Sequence, residues 1–161
     1  MILKNCPIEP HILDLCKLLI QMGGKIAGVG THNLEIDGVE QLFGTHFKLG
    51  MDFIEMGTYA IAAAITGGKI TISDLDETDL DPLLEPLSRF GIKVERENNR
   101  ITIFADKLKS ASKITTNIWP GFPTDLMSAV IVLATQSRGM TLCHDWMYES
   151  RMFFVDKLIN M

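Results

Sequence analysis

The stretch Pro120-Gly121-Phe122-Pro123-Thr124-Asp125 holds the side chain best placed for acid–base chemistry. Two prolines fix φ on either side of an aromatic, and Pro123 biases Phe122 towards extended backbone. Thr124 then stands where it can cap the apolar run Leu126–Gln136, which leaves Asp125 in the first helical turn. A carboxylate there lies at the positive end of the helix dipole. Stiff loop, helix start and lone acid together make a place to hold a base against a substrate hydroxyl. The same aspartate also reads as a plain helix-stabilising acid.

Other chemical groupings are sparser. Glu149 and Arg151 are two residues apart, so on a strand or extended loop they share a face, where a salt bridge buttressing a wall is the simplest role. Asp52 and Glu55 read as helix-capping acids ahead of Gly57-Thr58, and Glu9 as an acid at the helix start marked by Pro10. His11, His32, His46 and His144 have no metal-ligand spacing, and no Cys/His cluster is present, so no metal site is expected. The acidic run Asp74–Asp81 lacks the central glycine and terminal glutamate of a calcium loop and reads as solvated, with helix caps.

An internal repeat supplies the elements that must position these residues. Leu15–Ile26 aligns with Leu83–Val94, and Gly91 lies 68 residues after Gly23. In each copy a helical apolar pattern meets a glycine suited to a left-handed C-cap. Alternating strands follow, Lys25–Ala27 with Asn33–Asp37 and Lys93–Arg96 with Arg100–Phe104, each pair a β-hairpin. A second unit repeats as well: helix Thr58–Thr66 leads to strand Lys69–Ser73, and helix Thr124–Gln136 leads to Met140–Cys143. These two helices are apolar almost all round and are expected to be buried on several sides. The outer helices, Ile12–Met22 and Leu80–Phe90, are amphipathic, and a third outer helix is expected over Met152–Met161. The chain thus reads as α+β, with one complete βαβαββ repeat flanked by two partial ones. An incomplete repeat would leave Thr124–Gln136 poorly covered, which points to self-association.

Composition removes several function classes. A net charge of −5 provides no basic face for nucleic acid. The longest apolar run, Tyr59–Ile65, is too short to span a bilayer, and no charged-then-apolar leader opens the chain. Three cysteines, Cys6, Cys16 and Cys143, form no C-x-x-C pair and read as reduced thiols of a cytoplasmic protein.

Several segments, in order, resemble one family. Ile8-Glu9-Pro10 with Ile12 and Asp14, Gly28-Val29-Gly30-Thr31 with Ile36-Asp37-Gly38-Val39, and Asp52–Thr58 running into Ala62–Gly68 carry the likeness. So do Pro120–Asp125 and Tyr148-Glu149-Ser150-Arg151-Met152. Together they resemble the UDP-N-acetylglucosamine 1-carboxyvinyltransferases, the enolpyruvyl transferases that begin peptidoglycan synthesis. The resemblance implies the inside-out barrel of βαβαββ units shared by enolpyruvyl transferases and RNA 3′-phosphate cyclases, with substrates between two domains. Residues 1–46 would end one unit of a first domain, and 47–161 would hold one complete unit of a second domain and the start of the next. Phe47–Asp52 would lie near the hinge.

The family joins phosphoenolpyruvate to the 3-hydroxyl of UDP-N-acetylglucosamine through a tetrahedral intermediate, without metal or organic cofactor. By position, Asp125 is implied as the acid–base residue on the sugar hydroxyl, and Met147 as a main-chain contact to the nucleotide-sugar, although a core methionine is an equal reading. Glu149 and Arg151 are implied as supports of that wall. The family's reactive cysteine and the cations that grip phosphoenolpyruvate lie outside the matched stretch, so this chain alone is expected to be inactive. Phe53 stands where the family usually has arginine and Ser128 where it usually has glutamine; Trp119 and Ser150 are milder departures. Two other readings stay open: a non-catalytic remnant or assembly module of this fold, and a fragment of a shikimate-type enolpyruvyl transferase.

Overall fold

A computed structural model describes residues 1–75 and 80–161. Part of the acidic run Asp74–Asp81, residues 76–79, therefore lies outside the described residues. The chain divides into two compact units, Met1–Met51 and Asp52–Met161.

The first unit holds β1 (Ile2–Lys4), α1 (Pro10–Gln21), β2 (Lys25–Ala27) and β3 (Asn33–Asp37). Glu9 is the N-cap of α1, with Pro10 immediately inside, where its missing N–H costs nothing. Gly23 ends the helix at φ 98°, and the amide of Gly24 donates to the carbonyl of Leu19 at 2.8 Å. The three strands form an antiparallel sheet in the order β1-β3-β2, with Ile26 opposite Ile36. Leu34 on β3 and Cys16 on α1 are buried in this unit.

The second unit opens with α2 (Phe53–Ile65) and β4 (Lys69–Ser73). Next come α3 (Asp81–Ser88), β5 (Ile92–Glu97), β6 (Arg100–Ala105) and β7 (Lys113–Thr115). A 3-10 turn (Thr124–Leu126), α4 (Met127–Thr135), β8 (Leu142–His144) and α5 (Val155–Ile159) complete it. Its antiparallel sheet runs β4-β6-β5, with Ile72 opposite Ile101 and Val94 opposite Ile103. This order repeats that of the first unit, and Gly91 closes the turn after α3 at φ 88° as Gly23 does after α1. Both hairpins expected from the repeat are present. The short strand β7, which has no sequence signal, pairs in parallel with β8.

Four expectations need correction. Helix α2 starts at Phe53 rather than Thr58, because the Asp52 carboxylate accepts from the amides of Ile54 and Glu55 at 2.9 and 3.0 Å. It buries a single stripe (Phe53, Met56, Gly57, Ala60, Ile61, Ala64) and leaves Tyr59 about half exposed, so apolar composition did not mean burial all round. Helix α4 is the opposite case: Met127, Val130, Ile131 and Leu133 are all buried, so it is not the poorly covered helix that the truncated repeat suggested. The expected outer helix Met152–Met161 shrinks to Val155–Ile159, preceded by turns.

Candidate active site

Helix α2 is the floor on which the Pro120–Asp125 loop rests. A Cβ on Gly57 would come within 2.5 Å of Leu126 Cδ1, so the absence of a side chain lets the 3-10 turn approach the helix closely. One turn earlier, the rings of Phe53 and Trp119 lie 5.0 Å apart at 51°. The loop is also pinned to the residues just after β7: Asn117 donates its amide to Phe122 O at 2.9 Å, and Thr116 and Phe122 form a β-bridge. Gly121 is tight against the same segment, where a Cβ would stand 2.4 Å from Asn117 Cβ and 2.8 Å from Ile118 O.

The loop delivers Asp125 outward. Its side chain is 62% exposed, and Oδ1 accepts from Arg151 Nη1 at 2.8 Å. Oδ2 makes no hydrogen bond among the described residues. Arg151 is less exposed, and its guanidinium lies 4.6 Å from the centre of the Tyr148 ring. The hydrogen bond it donates to Asp125 chiefly holds the guanidinium in its charged form, partly opposed by burial and aided by the charges of Asp125 and Asp145.

Thr124 does not cap the helix. Its buried hydroxyl donates to Asp145 Oδ2 at 2.5 Å, and Pro123 is the residue preceding the turn. Asp145, immediately after β8, had no sequence signal pointing to it. Its Oδ1 accepts from the Thr116 hydroxyl at 2.9 Å and from the Met147 amide at 3.1 Å. Burial works against this carboxylate's charge. The Thr124 hydroxyl, the Met147 amide, the Thr116 hydroxyl and the nearby Arg151 together outweigh it and hold the acid below the usual range. The indole of Trp146 donates to Thr116 O at 2.7 Å.

The structure thus joins Asp125 to Arg151 and brings Met147 into the same cluster through its amide. Glu149 is exposed and makes no ion pair among the described residues. The expected Glu149–Arg151 pairing fails because residues 149–154 are turns rather than extended backbone, with Ser150 at φ 63°. Glu9, Asp52 and Glu55 belong to helix starts. All three cysteines are free thiols, Cys16 being buried in α1. No cluster of three or more His, Cys, Asp or Glu able to hold a metal occurs among the described residues. No helix among them is long and apolar enough to cross a membrane.

The family model described as EPSP synthase (3-phosphoshikimate 1-carboxyvinyltransferase) matches residues 1–161. The chain belongs to the EPSP synthase family. Within it, the chain is 43% identical over 99% of its length to a UDP-N-acetylglucosamine 1-carboxyvinyltransferase of Treponema denticola. It is 41% identical over 98% of its length to one of Bacteroides fragilis. It spans 39% and 38% of those two relatives. Among solved structures, the enolpyruvyl transferase NikO from Streptomyces tendae superposes with a TM-score of 0.77 at 20% identity, covering 99% of this chain and 38% of that one. The fold of this EPSP synthase family chain is therefore that of the enolpyruvyl transferases.

Proposed function

We propose that this chain forms one wall of a UDP-N-acetylglucosamine site in an enzyme that transfers enolpyruvyl from phosphoenolpyruvate to the sugar 3-hydroxyl. The observation that carries this is Asp125: an outward carboxylate on a braced turn, one oxygen engaged by Arg151 and the other without a hydrogen bond among the described residues. In the reaction, Asp125 takes the proton of the 3-hydroxyl as its oxygen bonds to the central carbon of phosphoenolpyruvate. A proton reaches the vinyl carbon, which becomes a methyl group in the tetrahedral adduct, and loss of phosphate together with one proton of that methyl restores the double bond and yields the enolpyruvyl ether. Met147 presents main chain to the nucleotide-sugar, while Arg151 fixes the carboxylate's rotamer. Glu149 supports the wall at longer range. No cofactor is required.

In this reading, residues 1–46 end a unit of one domain and 47–161 belong to another, in a soluble cytoplasmic enzyme of peptidoglycan synthesis. The names and identities of the relatives support the sugar-nucleotide substrate over shikimate 3-phosphate. The chain also associates with itself or a complementing chain, through exposed apolar residues such as Met140, Leu142, Trp146, Tyr148, Phe153 and Ile159. A sharply monomeric species in light scattering would count against that association.

Isothermal titration of the chain with UDP-N-acetylglucosamine and, separately, with shikimate 3-phosphate tests the assignment. Heat with the first alone is expected, and Asp125→Asn is expected to weaken it about tenfold. Preference for shikimate 3-phosphate would move the chain to the other branch, and binding of neither would leave a non-catalytic module. Phosphate release by the purified chain with both substrates is not expected; its detection would show that this wall alone suffices.

A further inference from the structure

We propose that Asp145 is the positioning residue of this site, a single carboxylate that fixes the turn bearing Asp125 against the turn bearing Arg151. The proposal rests on the reading of Asp125 as the sugar-facing acid. Asp145 ties its own stretch of chain to two others. Through Thr116 it holds the residue just after β7, to which Phe122 is bridged. Through Thr124 it holds the residue directly before Asp125. Through the Met147 amide it holds the bend that leads into the turn bearing Arg151. Thr116 and Thr124 are both buried, so neither hydroxyl has water as a ready alternative.

The geometry makes Asp145 more than a brace. Arg151 contacts Asp125 directly, and the Asp145 charge also favours its cation without touching it. Loss of the inner charge would leave Arg151 drawn to Asp125 alone, while the turn before Asp125 loses its anchor. Both changes act on the Asp125 oxygen that is to receive the hydroxyl proton. Thr124→Val removes one anchor without touching either charge, and Thr124→Ser keeps it. These variants separate anchoring from charge.

The test uses the 161-residue chain, UDP-N-acetylglucosamine as probe, and the guanidinium nitrogen–proton resonances of Arg151, assigned by their loss in Arg151→Lys. Asp145→Asn and Thr124→Val are each expected to weaken binding about tenfold and to shift the Arg151 resonances. The double variant is expected to be no weaker than the worse single one, and Thr124→Ser to bind as the parent does. A merely structural role would lower the melting temperature yet leave affinity and the Arg151 resonances native well below melting, and that result would overturn the proposal. Should Asp145→Asn fail to fold, the Val and Ser variants of Thr124 decide alone. If the parent chain does not bind the probe, the sugar-nucleotide reading fails, and the Arg151 resonances, which need no ligand, still decide whether Asp145 positions them.

Discussion

Arg151 Nη1 and Asp125 Oδ1 meet at 2.8 Å across 26 residues of sequence, joining the loop before α4 to the turn after β8. Neither residue is deeply buried, so the pair matters for orientation rather than for holding the fold together.

Asp125→Asn is therefore expected to leave the urea midpoint nearly unchanged, a loss below about 1 kcal/mol, while binding of the nucleotide-sugar falls. Arg151→Gln should do the same. If the two losses in affinity add fully in a double-mutant cycle, the pair does not act as a unit.

Gly121→Ala puts a Cβ into Asn117 Cβ and the Ile118 carbonyl, which can yield only by moving backbone. A destabilisation of about 1–3 kcal/mol is expected in urea unfolding, with a weaker probe affinity as the loop shifts. A variant of native stability would mean that the loop relaxes freely.

Acid titration should expose Asp145. Its folded carboxyl sits below the ordinary carboxylate range, so the folded protein binds fewer protons there than the unfolded chain. The resulting stability is complete above the unfolded value, about 3.9, and is lost as pH falls through the folded value. The difference in unfolding free energy between the parent and Asp145→Asn should be constant from pH 7 to about 5 and shrink below about 4. A difference that grows on acidification would refute this assignment.

Thiol chemistry offers a check on packing. Burial, then the neighbouring Cys6, pushes the Cys16 thiol up, and burial alone raises Cys143. Mass spectrometry after iodoacetamide treatment at pH 7.5 should find Cys16 the slowest to alkylate in the folded chain and all three modified in urea. Rapid native labelling of Cys16 would mean that α1 opens readily.

What could be read from the sequence was whatever repeats or punctuates. Gly23 and Gly91 announced helix ends because a left-handed residue there needs glycine, and both take positive φ. The hairpins followed from alternation, and the Pro120–Asp125 loop from its prolines. Asp145 could not be found this way. It lies between His144 and Trp146 in no periodic pattern, and its partners Thr116 and Thr124 lie 29 and 21 residues away. Thr124 was misjudged for a related reason: a hydroxyl can accept as a cap or donate to an acid, and only the tertiary neighbour decides. Glu149 and Arg151 were paired by assuming extended backbone, which the left-handed Ser150 between them breaks.

The two tryptophans of this chain stand on opposite arms of the cluster, Trp119 packed at a tilt against Phe53 and Trp146 tethered by its indole to Thr116. Each arm therefore carries its own intrinsic fluorophore. Replacing one with phenylalanine would leave emission that follows a single arm, and motion of the proline loop and of the arginine turn could be timed separately without attaching a dye.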